Sequence, residues 1–131
     1  MTALERERSK DHSLKVLSSC TSEDVLVLRV AGEIDLVTVQ RLGEHLDVHI
    51  PGPQQGVVLD LSRVSFLAAS GIGLLVRFAE RASAEGVLLR LVARHRSVLR
   101  ALEATGTDGL LPRCYSVREA VMQCSACHPP G

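Results

Sequence analysis

Ser70 is the side chain with the most chemistry within reach, because it stands in the small-residue run Ala68-Ala69-Ser70-Gly71, where an apolar stretch gives way to an amphipathic stripe. A hydroxyl there can cap a helix by accepting a backbone N–H two or three residues on. It can also carry a phosphoryl group of about −1.5 to −2 charge, which a helix N-terminus stabilises. A nucleophilic serine is a third option. AASGIG, however, lacks the flanking pattern of a GxSxG elbow, and nothing marks a histidine and an acid as triad partners. A hydrolase is not the expected class.

Cysteine and histidine supply the other reactive groups. Cys124-Ser125-Ala126-Cys127-His128 has the CxxCH spacing of covalent haem attachment, but no haem-binding domain precedes it. A zinc ion would find three donors in the same stretch and lack a fourth. Cys114, Cys124 and Cys127 are candidates for a reversible thiol switch, with incidental thiols the plainer reading. His45 and His49 are four apart on a helical stripe with no acid or cysteine to complete a site. Neither a metal nor a cofactor is expected.

Elements must hold these groups, and composition limits what the elements can build. The chain has 131 residues, fifteen basic against fifteen acidic, 46% hydrophobic and 2% aromatic. That length suits one domain with an aliphatic core. Neutral charge and few aromatic platforms argue against nucleic acid as a direct partner. The apolar runs are too short for membrane insertion. Residues 1–12 carry charges where a signal peptide needs an apolar stretch, which predicts a cytoplasmic address and reduced cysteines.

Periodicity then lays out the chain. Residues 1–12 read as a flexible arm, 13–124 as the folded domain and 125–131 as a tail. Strands are predicted at 13–18 and 25–30, with Ala31 and Gly32 leaving the sheet. A helix bearing Val39, Leu42 and Leu46, capped by Asp35 or Thr38, stops near Ile50 before Pro51-Gly52-Pro53. A strand at 57–61 precedes the small-residue turn, where Ser70 is the expected N-cap. The following helix carries Ile72, Leu75, Val76, Ala79 and Ala82 and ends at Glu85-Gly86. A strand at 87–93, a short helix through Val98 and Leu102, a brief edge strand within 110–116 interrupted by Pro112, and a last helix at 117–124 complete the order. Strands alternating with helices after a hairpin imply a mixed sheet.

Two segments, Gly32-Glu33-Ile34-Asp35 and LDLSRVSFLAASGIGLL at 59–75, resemble the STAS domain, a family of sulfate transporters and anti-sigma-factor antagonists, and in particular its stand-alone bacterial antagonists. The likeness in element order spans about 13–124. It implies an α/β fold with a mixed four- or five-stranded sheet flanked by about four helices, and protein binding without catalysis. In such antagonists the dephosphorylated form binds an anti-sigma factor that is also a serine kinase, which frees the sigma factor, and phosphorylation breaks the partnership. The family's phosphoacceptor turn reads Phe, an aliphatic residue, Asp, Ser, Ser or Thr, then Gly. It falls on Phe66, Leu67, Ala68, Ala69, Ser70 and Gly71.

The usual phosphoacceptor is thus Ala69, which cannot accept phosphate, while Ser70 matches the second hydroxyl position and is the remaining candidate for phosphorylation. By this resemblance the partner-binding residues are Asp35, Ala68, Ala69, Ser70 and Gly71, bordered by Arg63, Ser65 and Arg77. The expected partner is a serine-kinase-like anti-sigma factor, held without the usual phosphoswitch. A STAS accessory subunit of a transporter or lipid-transport complex, and a redox-modulated STAS binding module, are the alternatives.

Overall fold

The computed structural model describes residues 14–50, 52–107 and 109–126. Five strands form one sheet in the order β1-β2-β3-β4-β5: β1 Lys15–Cys20, β2 Val25–Ile34, β3 Gly56–Leu67, β4 Leu88–Ala93 and β5 Arg113–Cys114. β1 runs antiparallel to β2, and the later neighbours are parallel. Four helices accompany the sheet among the described residues: α1 Val39–Asp47, α2 Ala69–Ala84, α3 Arg96–Ala104 and α4 Val117–Ala126. This is the mixed, five-stranded arrangement implied by the sequence.

Alternation along the strands explains the layering, since successive side chains point to opposite faces of a sheet. Leu26, Leu28 and Val30, with Val57, Leu59 and Leu61 and with Leu89 and Leu91, belong to the larger buried cluster shared with α1, α2 and α3. Val25, Val27, Val58 and Val92 form a smaller cluster with Ala120 and Cys124 of α4. Both faces of β2, β3 and β4 are therefore buried over part of their length, which is why these strands read as apolar runs rather than clean alternations.

Several boundaries differ from the sequence reading: β1 runs Lys15–Cys20 rather than 13–18, α1 ends at Asp47 rather than near Ile50, and α4 continues to Ala126, past the predicted end at 124. β2 does not leave the sheet at Ala31 and Gly32 but continues to Ile34, with Gly32 at φ 119° accommodating an irregular register. Positive φ of this size is open to glycine at little cost. β3 does not end at Leu61: it extends to Leu67 through Ser62, Arg63 and Ser65, polar residues that leave the helix-covered faces. Opposite Arg29 to Ala31 on β2 stand Asp60 to Arg63 on β3, an extra residue of the kind that defines a β-bulge. The edge strand at 110–116 contracts to Arg113–Cys114, because Pro112 has no N–H for a ladder and contributes only its carbonyl, which accepts from Leu91 N at 2.8 Å.

Candidate functional site

The long β2 and β3 bring the two informative segments together. Ile34 lies opposite Leu67 in the parallel register, and Ala68 N donates to Ile34 O at 2.8 Å. From this point the chain leaves β2 toward α1 through Asp35, and leaves β3 into α2 through Ala68. Asp35 and Ala68–Gly71 thereby border one edge of the sheet.

Asp35 organises its own side of that edge. Its Oδ1 accepts the N–H groups of Val37 and Thr38, both at 2.9 Å. Thr38 Oγ1 accepts from Asp35 N at 3.0 Å and donates to Glu33 O at 2.7 Å. This reciprocal pairing has the logic of a capping box and fixes the turn before α1; the N-cap position itself is Thr38, whose hydroxyl makes no cap bond to the helix, so Asp35 acts one turn earlier than the sequence reading placed it. Hydrogen bonding to the charged form, from Thr38 N–H first and against a smaller opposing effect of burial, holds the Asp35 carboxyl below its ordinary value. The tightened turn leaves Leu36 and Val37 80% and 76% exposed. Phe66, on the neighbouring strand, is 46% exposed.

The α2 side corrects the reading of Ser70 as N-cap. The cap is Ala68, in extended conformation, whose carbonyl accepts from Gly71 N at 2.9 Å and Ile72 N at 3.1 Å with no side-chain cap. Ala69 is the first helical residue and is exposed; Ser70 is the second. The helix starts this early because the Ala68 N–H is already taken by β2, which turns the chain at Ala68 itself. Ser70 Oγ is buried and, among the described residues, has no hydrogen-bond partner. No base is hydrogen-bonded to it, so no relay of a serine hydrolase is formed there. A kinase acting on this hydroxyl has to open the first turn of α2.

Gly71 accounts for the tightness of the edge. A Cβ at this position falls 2.6 Å from Ile34 Cγ2 and 2.7 Å from Leu67 Cδ1, so only glycine lets α2 rest on the ends of β2 and β3. The bordering residues separate: Ser65 offers its carbonyl to Ser97 Oγ at 2.6 Å, Arg77 projects from α2 as an exposed side chain, and Arg63 lines a cleft with Arg29 and Arg94.

The cysteines lie elsewhere. Cys114 and Cys124 are buried beside α4 and form no disulfide among the described residues. Burial, then the charge of Glu119, pushes the Cys114 thiol up, the opposite of the lowered value that makes a thiol reactive. Cys127 and His128 lie outside the described residues. Among the described residues no group of three histidine, cysteine or acidic side chains is placed to hold a metal ion, and no helix is long and apolar enough to cross a membrane. Sequence reasoning missed Leu36, Val37 and Phe66. The available signal was the apolar pair between Asp35 and Val39, which precedes α1 and so is free of its buried stripe.

Comparison with known proteins bears on the family and the fold. The model of the STAS domain family matches residues 18–120. The anti-sigma-F factor antagonist RsfB of Mycobacterium tuberculosis is 33% identical over 84 residues, 64% of this chain and 68% of that protein. A crystal structure of an anti-sigma factor antagonist from Mycobacterium paratuberculosis superposes with a TM-score of 0.79 at 28% identity, over 86% of this chain and 94% of the other. An anti-sigma-factor antagonist (STAS) domain protein from Planctomyces limnophilus shares the fold, with a TM-score of 0.74 at 21% identity, over 84% and 97% of the two chains.

Proposed function

Because the chain belongs to the STAS domain family, we propose that it is a non-catalytic anti-sigma factor antagonist: it binds an anti-sigma factor of serine-kinase type and so releases the sigma factor that this partner holds. The observation that carries the proposal is the edge shared by the Asp35 turn and the start of α2, tied together by Ala68 N–H and Ile34 O. Exposed Leu36, Val37, Phe66 and Ala69 all lie within three residues of the paired Ile34 and Leu67 at this edge. Aliphatic and aromatic anchors in a polar surround are what a protein partner desolvates with profit in free energy.

In this proposal Ala69 removes the usual regulation. A phosphoryl group at the exposed first position of α2 meets the positive end of the helix dipole and adds charge beside the apolar anchors; a methyl group admits none of this. The remaining hydroxyl, on Ser70, is buried. Partner binding is accordingly constitutive with respect to kinase action at this turn.

The test is affinity capture from the native cytoplasm with the wild-type chain and with Leu36→Asp, followed by incubation of the captured complex with ATP. Capture of an anti-sigma factor, lost in the variant and undisturbed by ATP, is the expected result. Stoichiometric phosphate on Ser70 that dissociates the complex defeats the constitutive reading. Capture of a transporter ATPase in place of an anti-sigma factor replaces the partner class.

A further inference from the structure

α4 covers only part of its sheet face. It packs on Val25, Val27, Val58 and Val92, and beyond its first residue the same face opens into a cleft of about 720 Å³. Lys15 of β1, Arg29 of β2, Asp60, Ser62 and Arg63 of β3, and Arg94 just after β4 line it. Four cations against one carboxylate give this cleft a net charge of +3 in a chain whose overall formal charge is zero.

We propose that this cleft binds a small anion of the phosphate class, carrying two or more negative charges. The cations arrive from separate strands, so no single stretch of basic sequence produces their convergence. Asp60 offsets one of them, lying 3.6 Å from Arg29 Nε, while its other oxygen accepts Ser62 N–H at 3.0 Å across the β3 bulge. Among the described residues the side chains of Lys15, Arg63 and Arg94 make no hydrogen bond or ion pair, whereas those of Arg81 and Arg90 find Asp47 and Gln123. Like charges gathered without acceptors repel one another, and a bound polyanion reverses the sign of that interaction.

Size and lining narrow the ligand. The volume lies in the range of small-molecule sites, about 300–1,000 Å³. Guanidinium forks pair with phosphate oxygens in two parallel bonds, which suits a compact phosphate better than isolated carboxylates. No aromatic side chain lines the cleft, so it offers no platform for stacking a ring. The cleft lies on the sheet face opposite α2, and the proposal stands independently of the docking edge.

The experiment is an amide-shift titration of the full chain with inorganic pyrophosphate in about 0.15 M salt, where long-range screening is already strong. Saturable shifts at Ala31, Ser62, Arg63 and Val117 are expected, with a dissociation constant below about 1 mM. The double variant R63Q/R94Q, and separately K15Q, keep the wild-type melting temperature, since these side chains are exposed, and the double variant binds at least about tenfold more weakly. Leu36→Asp, on the docking edge, leaves the affinity unchanged. Absence of saturable shifts, or equal affinity in R63Q/R94Q, overturns the site. A glutamate-rich peptide that shifts these amides where pyrophosphate does not overturns the small-anion assignment in favour of a partner's acidic segment.

Discussion

At the scale of single residues, the edge depends on one absent methyl group and one carboxylate. Gly71→Ala gains helix propensity of about 1 kcal/mol, but its Cβ meets Ile34 Cγ2 at 2.6 Å, and Ile34 is fully buried with nowhere to move. Overpacking of this kind costs about 1–3 kcal/mol, so a net loss is expected and thermal melts of the variant should fall by several degrees. An unchanged melting temperature means that α2 can lift from the sheet freely. Asp35→Ala removes acceptors for two N–H groups, and loss of such a cap costs about 1 kcal/mol at neutral pH. The folded-state value of Asp35 lies below its ordinary one. Its contribution is therefore complete above the unfolded value of about 3.9 and is lost as pH falls through the lower folded value. The stability gap between wild type and Asp35→Ala should narrow in melts taken below about pH 4, and a gap constant with pH removes the charged hydrogen bonds as its cause.

At the scale of elements, α1 is held at both ends, by the Asp35 turn at its start and by α2 at its finish. Arg81 of α2 donates through Nη1 to Asp47 Oδ1 at 2.5 Å and through Nη2 to the carbonyl of Ile50. The first contact is an exposed ion pair, of a kind usually worth about 0–1 kcal/mol and weakened by salt. The second satisfies a carbonyl just beyond the end of α1, and a charged donor to such a group contributes about 1.5–3 kcal/mol. Asp47→Asn should hardly change the urea midpoint, while Arg81→Met lowers it in low and high salt alike; equal losses in both variants locate the energy in the ion pair. The helices were legible from the sequence because each keeps an apolar stripe at 3.6-residue period, as with Leu42 and Leu46. Strand ends were not, because past Leu61 and past Val30 the strands reach the open part of the sheet. There Ser62, Arg63 and Glu33 satisfy water as well as a loop would, and only the ladder hydrogen bonds distinguish the two. For the candidate site, the family resemblance marked Asp35 and Ala68–Gly71, while residue type alone singled out Ser70, and the Ser70 cap failed. Cap preference describes a lone helix start, and here the backbone bond to Ile34 decides where the helix begins.

For the whole molecule, the division into two apolar layers of unequal size sets which parts open together. The larger layer joins β1, β2, β3 and β4 to three helices, whereas the smaller one joins α4 to the sheet through a few valines, Ala120, Cys114 and Cys124. A Cβ at Gly56 would lie 2.7 Å from Cys124 Cβ, so α4 sits directly on β3 at this point. The thiols thus report the attachment of α4 without altering it. In a Cys127→Ser background, Cys20 is exposed and should react at once with a thiol reagent, while Cys114 and Cys124 wait for opening of the smaller layer. If that opening costs about 2.8 kcal/mol, the two buried thiols react about a hundredfold more slowly than Cys20. Urea below the main transition should accelerate them if α4 leaves before the rest, and leave them slow if both layers break in one step. Three thiols reacting at the rate of Cys20 would mean that α4 is not docked in solution. The cleft beyond its first residue would then lose its Val117 wall, and the small-anion site would lose that boundary with it.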